Sequence, residues 1–244
     1  MKEHYDIPDF YEPEVVNVAG RFARAGDCVI DAGASVGFFT RLLSHLVGDA
    51  GSVYSFEPNQ ESFDHLQRNI AKHNLKNVTA KRVALWSEDL PEIKLWSVDQ
   101  IGYTSVCKYH HQIGSEIVEA WTVDKLQLQP SFIKIDCELA EHEILIGAEE
   151  TLKRGVDCVV LEFNFHLMMQ NNMTDMSIRN YMADLGYDMF LISISDGQGG
   201  YRYPVKADRD KRLMLNGGIH INVMFSTEEK VRERWERTKT AALT

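Results

Sequence analysis

Residues 29–40 constrain the fold of this chain most strongly, because they combine an apolar strand, an acidic tight turn and the start of a helix. Gly33 and Gly37 suit a turn that needs a positive φ or a close backbone approach. Phe38 and Leu42 then follow at helical spacing. A strand, a turn and a helix in this order predict a βα unit whose strand ends at a bound ligand.

The turn after this strand also indicates which ligand it holds. Dinucleotide-binding turns commonly follow the pattern Gly-x-Gly-x-x-Gly, whose second glycine lets a pyrophosphate approach the helix. This chain has Ser35 at that position and Asp31 at the start of the turn, which suits a cationic ammonium rather than phosphates. S-adenosylmethionine carries such an ammonium. Glu57 follows the next apolar run, where a carboxylate can accept hydrogen bonds from both hydroxyls of a ribose.

Four segments carry a resemblance to a known family: residues 29–34, residues 56–59 with Asn69, Ile70 and Asn74, residues 83–85, and residues 132–148. Through them the chain resembles the FkbM family of S-adenosylmethionine-dependent methyltransferases, over roughly residues 12–226. The fourth segment is the most specific, and it departs from the family at Leu139, where glycine is usual. The resemblance implies a sheet of seven strands with the last antiparallel, and an acceptor hydroxyl on a sugar, glycan, lipid or secondary metabolite.

Length and composition indicate one α/β domain over residues 1–244, since 44% of the residues are apolar and 25% are charged. A formal net charge of −10 argues against a nucleic-acid partner, whose phosphates would be repelled. The four cysteines are widely separated, which predicts reduced thiols rather than a zinc site or a disulfide framework. With no secretory signal and no apolar run of membrane-spanning length, we expect a cytoplasmic protein. The oligomeric state stays open, a homo-oligomer included.

The order of apolar segments predicts a Rossmann-like, doubly wound sheet, because strands alternate with helices and such strands pair in parallel. A helical lead-in precedes the first strand over residues 1–26. A β-like insertion with a hairpin-like pattern interrupts the alternation at residues 88–122. The Gly-rich residues 196–217 show no periodicity and predict a lid or acceptor loop.

In a doubly wound sheet the ligand lies beyond the carboxyl ends of the strands, where the strand order reverses. We therefore expect Asp31 to bind the methionine ammonium, the turn after it to pass beneath the methionyl group, and Glu57 to bind the ribose. Trp86 and its neighbours would flank the adenine, although a tryptophan at this place more often belongs to a core. The complete set of expected cofactor contacts is Asp31, Gly33, Ala34, Ser35, Gly37, Phe38, Glu57, Pro58, Asn59, Ala84, Leu85, Trp86 and Asp136.

Acidic residues at the ends of two further predicted strands mark the expected acceptor side of the site. Asp136 ends one strand, Glu138 shares its parity, and Glu162 and Asn164 end the next strand. Carboxylates this close would repel unless one is protonated, a substrate ammonium lies between them, or they bind a cation such as Mg²⁺. Asp136, Glu162 and Asn164 would be the ligands of that ion. In the alternative interpretation, Asp136 and Glu162 only cap their strands.

A hydroxyl acceptor must lose its proton during methyl transfer, so a general base near the acceptor would help. His142 lies in the first turn of a helix predicted at 140–154, and His166 follows Glu162 by four residues. Glu141 is a further candidate. The expected catalytic residues are Asp136, Glu138, His142, Glu162 and His166.

These features lead to the hypothesis of a S-adenosylmethionine-dependent O-methyltransferase with a small-molecule or glycan acceptor. Three alternatives stay open. An N-methyltransferase would need less help from a base, and a cofactor-binding module without catalysis would fit the altered signature at Leu139. An NAD-dependent dehydrogenase shares the strand, the turn and the ribose acid, but this chain has Ser35 where that class needs glycine.

Overall fold

The computed structural model describes residues 11–97, 104–105, 114–192, 203–209 and 220–241. In chain order, its strands are β1 (Cys28–Ala32), β2 (Ser52–Phe56), β3 (Val78–Lys81), β4 (Ala84–Leu85), β5 (Leu90–Ser97), β6 (Thr104–Ser105), β7 (Gly114–Trp121), β8 (Phe132–Ile135), β9 (Cys158–Asn164), β10 (Asp188–Leu191), β11 (Val205–Lys206) and β12 (His220–Ser226). Its α-helices are α1 (Pro13–Phe22), α2 (Phe38–Val47), α3 (Gln60–Lys72), α4 (Glu141–Ile146), α5 (Glu149–Arg154), α6 (Phe165–Gln170), α7 (Asp175–Asp184) and α8 (Glu228–Ala241).

The main sheet has eight strands in the order β11-β10-β12-β9-β8-β1-β2-β3. The neighbours from β9 to β3 pair in parallel, whereas β12 runs antiparallel to both β9 and β10. The predicted fold class is therefore confirmed, including the antiparallel last strand. The strand beyond the expected seven is the short β11, which joins the edge beside β10. Because the strand order reverses between β1 and β8, their carboxyl ends open a cleft.

Helices cover both faces of this sheet, which explains why its central strands are apolar on both sides. On one face, α1, α2 and α8 pack through a cluster that includes Phe22 and Leu43. On the other face, α4, α5 and α7 pack through a cluster that includes Ile144 and Met182. All four residues of β8 are buried, Lys134 among them. A buried lysine indicates that charged partners lie at this end of β8.

The structure has a second sheet in the order β4-β7-β5-β6, of which β5, β6 and β7 lie within the segment 88–122 that the sequence predicts to be a β-like insertion. β5 and β7 pair antiparallel, with an irregularity in register between Leu90 and Ile93. Leu95, Val118 and Ala120 form part of a small core of its own. β4 follows β3 closely along the chain and pairs with β7. The second sheet is thereby connected directly to the tip of the main sheet.

The structure differs from the predicted elements in several places. The helix predicted at 140–154 is wrong as one element: it breaks into α4 and α5 at Gly147, where a Cβ would lie 2.0 Å from the carbonyl oxygen of Trp86. The short helix α6, which Asn164 caps, has no counterpart in the prediction. The segment 196–217 contains β11, and most of it lies outside the described residues, as do residues 1–10 of the lead-in and parts of the insertion.

No helix in the described part of the chain is long and apolar enough to cross a membrane. Cys28, Cys137 and Cys158 are free thiols, and burial raises the pKa of each. Raised thiol pKa values indicate packing residues rather than nucleophiles. Cys107 lies outside the described residues.

Gly33 determines how closely the loops after β1 and β8 approach each other. Its φ is +75°, and a Cβ built there would lie 1.8 Å from the carbonyl oxygen of Asp136. The Asp136 amide in turn donates to the carbonyl oxygen of Ala32 at 3.1 Å. The close approach that requires glycine at this turn is therefore made by the protein's own backbone.

We expect Gly33→Ala to destabilise the protein by about 2–5 kcal/mol, because it adds both a left-handed alanine and a backbone clash. The free energy of unfolding in urea measures this loss. The control is Gly20→Ala in α1, where a Cβ meets no atom within 4 Å and helix propensity predicts a gain of about 0.5–1 kcal/mol. Equal stability of the two variants would contradict the tight fit of the two loops.

Candidate active site

A cavity of about 190 Å³ lies at the carboxyl ends of β1, β2, β8 and β9, where the strand order reverses. Its wall comes from the loops after these strands, from the second sheet, from β12 and from the residues just before α1. The cavity therefore lies where the sequence places the ligand. The sequence-predicted residues in its wall are Gly33, Ser35, Glu57, Pro58, Ala84, Leu85, Asp136, Glu138 and Glu162.

Glu57 presents a buried carboxylate to this cavity at the end of β2. Its Oε2 accepts a hydrogen bond from the Ser35 amide at 2.8 Å, and its Oε1 accepts one from the Asn59 amide at 2.9 Å. Burial raises the pKa of Glu57 to about 7, although these two bonds act to lower it. Each carboxylate oxygen has a second lone pair, so Glu57 can also accept hydrogen bonds from two ligand hydroxyls.

The backbone amides of the turn after β1 are hydrogen-bonded within the protein. Gly33 and Ala34 both donate to the carbonyl oxygen of Phe56 at 3.0 Å, and Ser35 donates to Glu57. A pyrophosphate at such a turn needs these amides as its own donors, and here it would also meet a carboxylate. The turn therefore suits a neutral sugar better than a diphosphate.

Asp31 lies beneath the turn rather than in the cavity wall. Its Oδ2 accepts a hydrogen bond from Thr40 Oγ1 at 2.6 Å, while its Oδ1 is buried without a hydrogen-bond partner. Burial raises the pKa of Asp31, and the charge of Lys134 on β8 opposes that rise. Lys134 Nζ lies 3.1 Å from Asp136 Oδ2 and 3.3 Å from the Gly33 carbonyl oxygen. Burial alone would lower the pKa of Lys134, but Asp136, Asp31 and Glu12 raise it overall, so the side chain stays charged.

The segment after β3 gives the cavity an apolar wall. Val83, Ala84 and Leu85 line it together with Leu95 from the second sheet. Trp86 does not line the cavity: its side chain packs partly buried against the cores of both sheets. Two of the three residues expected to flank an adenine thus lie in the wall, and the tryptophan has a packing role.

Asp136, Glu138 and Glu162 bring three carboxyl groups into the wall, and each has different surroundings. Burial raises the pKa of Glu138 to about 8, with further contributions from Asp136 and Glu162. Glu138 is thus mostly protonated at neutral pH, whereas Asp136 is paired with Lys134. Burial and the charge of Asp136 also raise the pKa of Glu162, whose Oε2 lies 3.2 Å from His220 Nδ1.

Several expected site residues lie away from the cavity wall. His142 contacts Tyr181 edge-on, with ring centroids 5.9 Å apart, and His166 is exposed beside Gln170. Asn164 Oδ1 accepts the Leu167 amide at 3.1 Å as the N-cap of α6. The remaining expected residues support the turn and the helices after it: Ala34, Gly37, Phe38 and Asn59.

The cavity wall also contains residues that the sequence does not mark as site candidates: Tyr11, Phe56, Val83, Leu95, Ser105, Cys137, Ala140 and His220. His220 reaches the site because β12 runs antiparallel to β9, with His220 opposite Asn164. Such a register follows from long-range pairing and leaves no local pattern in the sequence. Lys134 did leave a signal, because a lysine inside the apolar run of β8 stands two residues before Asp136.

A magnesium ion finds no support in this arrangement. Among the residues that the structure describes, no group of three or more His, Cys, Asp or Glu side chains is arranged to hold a metal ion. The oxygen of Asn164 is engaged as a helix cap, and Lys134 already provides Asp136 with a positive partner. The counter-charge that the clustered acids require thus comes, at least for Asp136, from the protein itself.

Leu139 keeps the backbone conformation that a glycine would favour. Its φ is +78°, the preceding Glu138 has φ +46°, and the Leu139 side chain is buried in the main core. A left-handed conformation costs a non-glycine residue roughly 1–2 kcal/mol. The altered signature position therefore combines a strained backbone with a packed side chain.

We expect Leu139→Gly to be less destabilising than Leu139→Ala. Usually glycine is the more destabilising of these two replacements. Both variants lose the buried side chain, at a cost of about 2–5 kcal/mol, but only glycine relieves the left-handed strain. Urea unfolding of both variants and the wild type measures the difference. A glycine variant that is less stable than the alanine variant would contradict the strained conformation.

Comparison with known proteins is consistent with this geometry. The family described as "Methyltransferase FkbM domain" matches residues 31–189. Among curated proteins, the tRNA (adenine(58)-N(1))-methyltransferase catalytic subunit TRM61 of Yarrowia lipolytica (strain CLIB 122 / E 150) is 38% identical over 55 residues. That match covers 22% of this chain and 14% of the relative, so this chain spans only a small part of that protein's length.

Solved structures share the fold at low sequence identity. The methyltransferase FkbM from Methylobacillus flagellatus KT matches with a TM-score of 0.53 and 15% identity, over 88% of this chain and 50% of that one. A putative methyltransferase from Streptococcus mutans in complex with SAH matches with a TM-score of 0.51 and 12% identity, over 88% of this chain and 98% of that one. The family match covers residues 31–189, which is well over half of this chain, so the chain belongs to the FkbM methyltransferase family.

Proposed function

We propose that this chain is a S-adenosylmethionine-dependent methyltransferase that methylates a hydroxyl group. The observation that carries the proposal is the buried Glu57 carboxylate, which faces the cavity at the end of β2 beside a turn whose amides are engaged. This combination suits a ribose without phosphates. Membership of the FkbM family supports the same cofactor.

The residues present fit this cofactor along the length of the cavity. Glu57 would accept hydrogen bonds from the ribose hydroxyls, and Ala84 and Leu85 would pack against the adenine. The turn that contains Gly33 would pass beneath the methionyl group. Asp31, which does not line the cavity, would favour the ammonium through its charge rather than by direct contact. Asp136 lines the cavity and would contact the ammonium directly.

Methyl transfer from this cofactor, when it is bound, uses an electrophilic methyl group on a positively charged sulfur. The main task of the chain is then to align acceptor oxygen, carbon and sulfur, an effect worth roughly 7–11 kcal/mol in well-oriented reactions. As the oxygen–carbon bond forms and the carbon–sulfur bond breaks, the hydroxyl proton needs a base. His220 fits this role, because donation from Nδ1–H to Glu162 at 3.2 Å leaves Nε2 to accept the proton.

The other acids of the cavity would have distinct roles. Glu138 is mostly protonated at neutral pH, so it would donate a hydrogen bond to an oxygen of the acceptor. Glu162 would orient His220, and Asp136 would serve the cofactor rather than the acceptor because Lys134 holds its charge. His142 and His166 are left without a place in this mechanism, since neither lines the cavity.

The acceptor that we propose is a small molecule or glycan with a free hydroxyl, in line with the family resemblance. The relative TRM61 is named for tRNA, but it matches over only 55 residues, and a formal net charge of −10 disfavours a polyanion. A cytoplasmic location forms part of the proposal, because free thiols at Cys28, Cys137 and Cys158 suit a reducing compartment.

We expect SAH and S-adenosylmethionine to bind the wild-type protein, and Glu57→Gln to weaken both by roughly 10- to 100-fold, because hydrogen bonds to a charged acceptor are lost. Isothermal titration calorimetry measures both affinities. Glu61→Gln, an exposed neighbour in the first turn of α3, is the control and should bind like the wild type. No heat with either compound at millimolar concentration would overturn the proposal, and binding of NAD instead would favour a dehydrogenase.

We expect His220→Asn to lower the turnover of a hydroxylated acceptor by about 10²- to 10⁴-fold with little change in cofactor affinity, since a general base acts only on the acceptor. A panel of sugars, glycans and hydroxylated metabolites, assayed by SAH release, identifies the acceptor first. Asp136→Ala should lower turnover and cofactor affinity together. Cofactor binding without turnover of any acceptor would favour a module that has lost catalysis, and turnover of amines alone would favour N-methylation.

A further inference from the structure

Glu116 extends from the second sheet to the loop that carries the proposed ribose site. It lies on β7 opposite Leu95 of β5, and its side chain is about one quarter exposed, at 26%. Its carboxylate accepts hydrogen bonds from Asn59 Nδ2 at 2.7 Å and from the Gln60 amide at 3.3 and 3.4 Å. Asn59 belongs to the short connection between β2 and α3, directly after Glu57 and Pro58, and Gln60 is the first residue of α3.

Asn59 transmits this contact to Glu57. Its backbone amide donates to Glu57 Oε1 at 2.9 Å, and its side-chain oxygen accepts the Ser62 amide at 2.9 Å as the N-cap of α3. An asparagine amide can face either way, but a carboxylate beside it accepts only from the nitrogen. Glu116 therefore fixes the side-chain orientation in which Asn59 caps α3, and so holds in place the residue whose backbone amide bonds to Glu57.

The same carboxylate reaches a second part of the cofactor cleft. Arg82 Nη2 lies 2.6 Å from Glu116 Oε2, and Arg82 directly precedes the apolar wall at Val83, Ala84 and Leu85. The two carboxylate oxygens of Glu116 thus connect the ribose loop with the adenine wall. Hydrogen bonds between charged partners are short and stronger than neutral ones, so this bridge resists separation of the two segments.

We propose that Glu116 is a positioning residue for the cofactor site. Through it, the second sheet fixes the position of the ribose-binding carboxylate of Glu57 relative to the adenine wall. This inference rests on the proposed function. The second sheet contacts the acceptor side as well, because Ser105 Oγ donates to the Glu138 carbonyl oxygen and Leu95 lines the cavity. The second sheet accordingly contacts both halves of the cleft and contributes to the structure of each.

The test compares Glu116→Gln with Glu119→Gln, which lies on the same strand with an exposed carboxylate bonded to Trp121 Nε1. Calorimetry with SAH and with adenosine gives the affinities, and thermal unfolding without ligand gives the stability. We expect Glu116→Gln to weaken SAH and adenosine by the same factor of about 10, because the loss affects the adenosine half alone. Glu119→Gln should leave both affinities unchanged, and neither variant should lower the midpoint of unfolding by more than about 2 °C.

Arg82→Gln supplies a second variant that breaks the bridge from its other end, and it should weaken SAH in the same direction. Unchanged SAH affinity in Glu116→Gln would overturn the inference while leaving the proposed function intact, since the wild type would still bind SAH. An affinity loss accompanied by a matching loss of stability in the absence of ligand would also overturn it, because it would show a structural role. Failure of the wild type to bind SAH would instead overturn the proposed function.

Discussion

The rest of this site depends on the contacts of one buried cation, the ammonium group of Lys134. It lies between the tips of β1 and β8, where it bonds to the Gly33 carbonyl oxygen and to Asp136 and compensates the charge of Asp31. Removing one member of a buried charge cluster leaves the others uncompensated, at a cost of roughly 3–5 kcal/mol. Lys134 therefore supplies the positive charge that allows several acids to lie close together at the strand ends. The cation thus adds a contact between the loops after β1 and β8, whose strands already pair in parallel.

Around that cation, the cavity divides into two chemically different halves. Beside β2, Glu57 and the apolar segment after β3 offer acceptors and a nonpolar surface, which suits a nucleoside. Near β9 and β12, burial raises the pKa of Glu138 and Glu162 lies 3.2 Å from His220, so that these groups would offer a hydrogen-bond donor and a base in the proposed reaction. The second sheet contacts both halves, through Glu116 on one side and Ser105 on the other. Transfer of a methyl group from a nucleoside cofactor on one side to the proposed acceptor on the other, with release of the demethylated cofactor, would fit this division.

The sequence predicted the parts of this structure that depend on local patterns. The strand, turn and helix at residues 28–47 and the acid after β2 follow from periodicity and residue type, and the parallel pairing of β1 with β2 brings them together. The places where the structure differs from the expectations from sequence depend on distant contacts. The break at Gly147 reflects the carbonyl of Trp86, and the arrival of His220 reflects the antiparallel register of β12 with β9. Residue type alone does not distinguish His142 and His166 from His220. In the structure, His142 contacts Tyr181 and His166 is exposed to solvent.

Distant contacts also determine the surroundings of Asp31 and Gly33. Residue type alone predicts that both lie next to a ligand. The structure bonds Asp31 to Thr40 outside the cavity wall, whereas Gly33 lines the cavity and also contacts the Asp136 backbone.

A crystal structure of the protein with SAH is the most direct test of the proposed cofactor site. We expect both ribose hydroxyls within about 2.6–3.0 Å of the Glu57 carboxylate oxygens, with the sulfur directed toward Asp136 and Glu138. A nucleoside bound elsewhere, or a ribose turned away from Glu57, would contradict it.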